Sequence, residues 1–182
     1  INKINSLGDN LALNLIEDFF KNHGFHILPL SSFLKDCSLP KGFYPEKKLL
    51  PSFQKYILDS AEVGINLLNT ISIFDVGQSA VVSSKLVYAI EGQEGTDCMI
   101  DRAASLSNKN KLITHPGPVL IKIPKINQNI NLDPPVVGFE TVRKCIENNF
   151  SSLVVSSNGT IIFELKKIMN LINTKNFVIY VV

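Results

Sequence analysis

The sequence predicts an α/β protein of the α+β kind, a mixed sheet with flanking helices. Three observations carry that class. Apolar residues recur at helical spacing over 9–23, 52–69 and 138–148. Short apolar runs such as 119–123 and 153–155 read as buried strands that alternate with those helices. Ser83-Ser84-Lys85 lies between two further strand-like runs, so at least one hairpin interrupts the alternation.

Taken in order, 9–23 places Leu11, Leu15, Ile16, Phe19 and Phe20 on one helical face, with Asp9 as a cap and Gly24 as a stop. Phe25, His26, Ile27 and Leu28 read as a short strand. Ser31 and Ser32 would cap a brief helix ending near Lys35. Pro40, Gly42, Pro45 and Pro51 make 36–51 the expected linker. Phe53, Ile57, Ala61, Gly64, Ile65 and Leu68 share one side of the second helix. Ala80-Val81-Val82 and 86–90 form the hairpin. Thr96 or Asp97 starts a helix through Met99, Ile100 and Ala103. The polar stretch 105–116 reads as a flexible loop. Three prolines, Pro124, Pro134 and Pro135, leave 124–135 irregular. Asn158-Gly159 signals a turn before the strand 160–163. A helix over 164–172 and a strand over 177–181 close the chain.

Composition sets bounds on function. At 182 residues, 45% hydrophobic and 19% charged, the chain can bury a core of normal size. A net charge of +2 without a basic run gives no support for nucleic-acid binding. Cys37, Cys98 and Cys145 are too scattered for a zinc motif or disulfide framework and read as free thiols in a reducing compartment. Neither a membrane span nor a signal peptide is expected. The start at Ile1 reads as a cut edge.

Polar chemistry concentrates in a few places. Glu91, Glu94 and Asp97 follow one another closely around Gly95, and Thr96 adds a hydroxyl at a helix start. Such a group suits a hard divalent cation or a phosphate. It equally suits a helix capping box. Lys122 sits inside an apolar strand, where an ammonium needs a partner unless it faces solvent. With Lys125 it could hold a diphosphate, and Arg102 could assist. Asp133 precedes Pro134 and Pro135 in a stiff loop, which suits metal binding or water activation as well as a simple turn. Asp75, Gln78 and Gln128 are weaker candidates, and Gly77 and Gly138 could permit close backbone approach. His23, His26 and His115 form no metal cluster or triad. Serine-hydrolase, nucleotide-triphosphatase and dehydrogenase motifs do not occur.

Read together, five ordered segments resemble one family. Gly8-Asp9-Asn10-Leu11-Ala12-Leu13 is similar to its GDDALL helix start, and Asp75-Val76-Gly77-Gln78 to its DVGQ motif. The run from Ile90 through Glu91, Glu94, Gly95, Thr96 and Asp97 to Ile100 resembles VEAxEGTDAMI. Val119 to Lys125, with Gln128, resembles VLVKxPKPxQ, and Asp133 to Gly138 resembles DLPTIG. The family is the magnesium-dependent UDP-2,3-diacylglucosamine pyrophosphatases of lipid A biosynthesis.

The resemblance implies a two-domain enzyme, with 1–45 as the tail and linker of an N-terminal domain and 46–182 as the catalytic domain. It implies hydrolysis of the substrate diphosphate to UMP and 2,3-diacylglucosamine 1-phosphate. Asp133 would be the essential acid, with Glu94 and Asp97 as further catalytic and Mg2+-binding carboxylates. Lys122, Lys125, Gln128, Thr96 and Gln78 would contact the substrate. A cytoplasmic protein, peripheral to the inner membrane and with room for a homo-oligomer, is implied, and helix 52–69 is the candidate for the membrane contact. Asn129 and Asn131 replace an acidic residue and an arginine of the family pattern, and Pro134 replaces a leucine. Asn129 and Asn131 favour an alternative, a non-catalytic nucleotide- or lipid-binding relative.

Overall fold

The computed structural model describes residues 9–109 and 116–182. Its first half contains α1 (Asp9–Asn22), β1 (Gly42–Tyr44), α2 (Pro51–Ile71), β2 (Ser79–Ser83), β3 (Leu86–Ile90) and α3 (Gly95–Lys109). Then follow β4 (Val119–Lys122), β5 (Val136–Val137), α4 (Phe139–Glu147), β6 (Ser152–Val155), β7 (Ile161–Ile162), α5 (Leu165–Asn173) and β8 (Val178–Val181).

Six strands form one mixed sheet in the order β1-β8-β6-β4-β2-β3, as the predicted fold class requires. The centre is parallel: β4 pairs with β6, and β6 with β8. Antiparallel strands flank it, β2 on β4, β3 on β2 and β1 on β8. Every residue of β4 and β6 is buried, because both sheet faces are covered by helices. Side chains alternate between the faces. Val119 and Ile121 join Ile57, Ala61 and Leu68 of α2 in one core, whereas Leu120 packs with Met99, Val142 and Ile168 of α3, α4 and α5. A Cβ at Gly64 would lie 2.7 Å from Ile121 Cγ1, so α2 rides directly on β4. The apolar stripe of α2 is therefore core, not a membrane-facing surface. Among the described residues, no helix is long and apolar enough to cross a membrane.

Several local expectations change. Residues 25–28 form no strand and pair with no sheet edge, and Phe25 and Leu28 stand 60% and 61% exposed. In place of a brief helix after Ser31 there are two single 3-10 turns, Leu30–Ser32 and Lys35–Cys37. The expected linker 36–51 contains β1, anchored by Phe43 stacked on Tyr180 with ring centroids 4.3 Å apart. Residues 105–109 continue α3; the rest of the expected loop, including His115, lies outside the described residues apart from Pro116. The Asn158-Gly159 turn exists, with Gly159 at φ +92°, but it does not join paired strands. Instead β7 runs parallel to β5 in a separate two-stranded sheet. Cys145 is fully buried, and that burial pushes its thiol far above the ordinary range, as befits a core filler.

Candidate functional site

In an open sheet with a parallel centre, ligands gather where the carboxyl ends of the strands meet the loops. Here β4 ends at Lys122, and Ser79, the first residue of the antiparallel β2, lies directly opposite. The hairpin returns β3 to the same end, so Glu91 follows immediately after Ile90. Gly95, at φ +78°, then turns the chain into α3, whose first turn offers Thr96 and Asp97. Sequence separations of up to 31 positions between Glu91 and Lys122 thus collapse into one cluster.

Lys122 is its centre. The side chain is 8% exposed, and its Nζ donates to Thr96 Oγ1 at 2.8 Å. Thr96 Oγ1 donates in turn to Glu91 Oε1 at 2.7 Å. The other Glu91 oxygen accepts from the Gln78 backbone N–H at 3.0 Å. Burial lowers the lysine pKa, while the charges of Glu91, Asp97 and Asp133 pull it back upward. Those three carboxylates are therefore the acidic surroundings of the ammonium. Asp97 also accepts from Thr141 Oγ1 at 3.2 Å, which ties α3 to α4.

The loop after β4 is braced from within. Lys125 Nζ meets Asp75 Oδ1 at 2.5 Å. Gln128 Oε1 accepts the Lys125 N–H at 3.0 Å, and its Nε2 donates to Asp133 O at 2.7 Å and Asp133 Oδ2 at 3.1 Å. Gln128 thus holds the carboxylate of Asp133 in place. Asn129 Nδ2 donates to Glu17 Oε2 at 2.5 Å, so an amide stands where an acid would meet the Glu17 charge.

Among the sequence candidates, the structure brings Thr96, Asp97, Lys122 and Asp133 together. Lys125 and Gln128 stand on the same loop as Asp133. Glu94 is engaged elsewhere: Arg102 Nη2 meets its Oε1 at 2.5 Å and also bonds Ile90 O at 2.8 Å. That hydrogen bond holds the Glu94 carboxyl below its ordinary value. Gln78 contributes its backbone, and its side-chain Oε1 is buried with no hydrogen-bond partner among the described residues. The role of Glu91 was not anticipated. Its signal was a carboxylate placed straight after an apolar strand, where burial demands partners. Gly138, at φ −100°, has ordinary extended backbone.

The donor set bears on a cation. Among the described residues, no three His, Cys, Asp or Glu side chains gather closely enough to hold a metal ion alone. Asp97, Asp133 and the unpartnered Gln78 Oε1 are nevertheless hard oxygen donors. Magnesium is commonly held by one or two carboxylates plus substrate phosphate, so the donor types present match what such a site would need. The roomier cleft, about 850 Å3 and lined in part by Lys47, Phe53, Lys175 and Phe177, contains none of these residues. It lies at the amino ends of the parallel strands.

A UDP-2,3-diacylglucosamine pyrophosphatase LpxI from Caulobacter vibrioides is 27% identical over 164 residues, which cover 89% of this chain and 57% of that protein. The chain thus spans a little over half the length of that curated relative. The family model for the LpxI C-terminal domain matches residues 48–180, a stretch holding every side chain of the Lys122 cluster. On that match, the chain belongs to the LpxI C-terminal domain family.

Proposed function

We propose that this chain carries the hydrolytic site for the diphosphate of UDP-2,3-diacylglucosamine, releasing UMP and 2,3-diacylglucosamine 1-phosphate. The observation that carries the reading is the buried Lys122 ammonium at the end of β4, set among Glu91, Asp97 and Asp133. Cleaving a phosphoric anhydride requires neutralised oxygens, a placed water and a path for its proton. An ammonium has three donors. Lys122 uses one on Thr96 and Lys125 one on Asp75, so each retains donors for the diphosphate. Asp133, steadied by Gln128, orients the water and takes its proton as the oxygen attacks the UMP-side phosphorus. The bond to the bridging oxygen breaks, and that oxygen leaves with 2,3-diacylglucosamine 1-phosphate.

Asp97 and Asp133 would hold magnesium, which supplies charge neutralisation and a more acidic water. Glu94, paired with Arg102, stands outside that set and steadies the entry to α3. An acylated substrate would bring the protein to the cytoplasmic face of the inner membrane as a peripheral enzyme. The alternative of a silent binding relative loses one support, because Asn129 has a defined place against Glu17.

The test is UMP release from UDP-2,3-diacylglucosamine with and without magnesium, by this chain and by its Asp133→Ala variant. Magnesium-dependent release that falls at least about a hundredfold in the variant is expected, the scale on which a general base acts. Release that survives Asp133→Ala unchanged would remove Asp133 from the mechanism. No release, even from a version extended to the relative's full length, would leave a binding protein.

A further inference from the structure

We propose that Glu91 is a positioning residue: through the Thr96 hydroxyl it fixes the direction in which Lys122 presents its ammonium to the substrate phosphates. The inference rests on the hydrolytic reading of the same site, and it gives Glu91 a role other than the cation or phosphate handling that its spacing suggested.

The argument is one of donors and acceptors. An ionised carboxylate only accepts, and an ammonium only donates. A threonine hydroxyl has a single proton. With Glu91 Oε1 at 2.7 Å, that proton points to Glu91, which turns the lone pairs of Thr96 Oγ1 toward Lys122 Nζ at 2.8 Å. Ser79 Oγ, at 3.4 Å, must then be the donor to the same oxygen. Without Glu91 the hydroxyl loses the acceptor that fixes its proton and its position, and Thr96 Oγ1 no longer holds Lys122 Nζ in one direction. Both ends of the chain are buried, Glu91 and Lys122 each at 8% exposure, so water cannot readily substitute.

The backbone is shaped for this arrangement. Glu91 is fastened by the Gln78 N–H at 3.0 Å, and its own N–H donates to Ser79 O at 2.9 Å. Gly77 makes room for it: a Cβ there would lie 2.5 Å from both the Cβ and the carbonyl oxygen of Glu91. Two separate features, the start of β2 and the absent side chain at 77, thus hold one carboxylate behind Thr96.

The test reads Lys122 directly. Lysine-selective nitrogen NMR should show a slowly exchanging Lys122 ammonium signal, identified by its loss in Lys122→Arg. Glu91→Gln removes the charge, and Gly77→Ala displaces Glu91 with its charge intact. Both should shift that signal and speed its exchange, as should Thr96→Val, while Thr96→Ser should restore it. An unchanged signal in Glu91→Gln and Gly77→Ala would overturn the proposal. This arm needs no substrate, so its outcome stands whether or not UMP is released. With active protein, Glu91→Gln should lower kcat about tenfold to a hundredfold, the scale of a misplaced catalytic group. Added to Lys122→Ala, it should cost less than about twofold more, because coupled residues are not additive. A full multiplicative loss would mean that Glu91 acts apart from Lys122.

Discussion

At Lys122, two electrostatic effects oppose each other. Burial disfavours the ammonium, the carboxylates of Glu91, Asp97 and Asp133 favour it, and burial is the larger. The folded protein therefore binds fewer protons at this site than the unfolded chain between the lowered pKa and the ordinary lysine value of about 10.4. Stability contributed by this group rises with pH across that window and falls as pH drops through the folded pKa. Urea unfolding of the parent and of Lys122→Met should show it. The stability difference, parent minus variant, should grow as pH rises toward the ordinary lysine value of about 10.4, and a constant difference would refute the shift. Sequence alone marked Lys122, Thr96, Asp97 and Asp133, because each breaks an apolar or regular pattern. It could not pair Glu91 with Thr96 rather than Glu94, since Glu94 is the nearer in sequence and only the turn at Gly95 sends it toward Arg102.

The helix α2 and strand β4 show how an element is placed by what it touches. A glycine within a helix ordinarily costs about 0.5–1 kcal/mol relative to alanine. At Gly64 the balance reverses, because an added methyl would meet Ile121 Cγ1 at 2.7 Å and Ile121 is fully buried. Overpacking of that kind costs about 1–3 kcal/mol, so Gly64→Ala should lower stability by roughly 1–2 kcal/mol in urea unfolding. Ile57→Ala, on the same face, should cost about 2–5 kcal/mol through the cavity it leaves. The long helices and the strands β2, β3, β4, β6 and β8 were legible because their apolar periods run for several residues. The two-residue strand β5 was not, since a period needs more than two positions to show itself, whereas β7 falls inside the strand expected over 160–163. Nor was β1, whose three residues sit between prolines and become a strand only because β8 offers an edge.

At the scale of the whole molecule, two cores cover the two faces of one sheet, and the Lys122 cluster sits where its parallel strands finish. The first helix contributes little to either core: its Leu15, Phe19 and Phe20 are 48%, 58% and 41% exposed. Asn129 reaches it with hydrogen bonds to Asn14 and Glu17, and the segment after it adds one from Leu30 N–H to Asn131 O. Removing residues 1–34 should therefore leave cooperative unfolding of the sheet domain within about 1–2 kcal/mol of the parent, the range of one or two hydrogen bonds. A loss of cooperative unfolding would show that α1 belongs to the same folding unit. The sequence by itself determined the class of fold, the helices and strands with several periods, and the motif residues that mark the family. Those properties are local, written in periodicity and in residue types that cannot be buried without partners. The tertiary structure alone decided the strand order, the parallel pairing of β5 with β7, and which carboxylates face Lys122. Those depend on contacts between residues tens of positions apart, where packing of the two sheet faces, rather than any local preference, selects the neighbours.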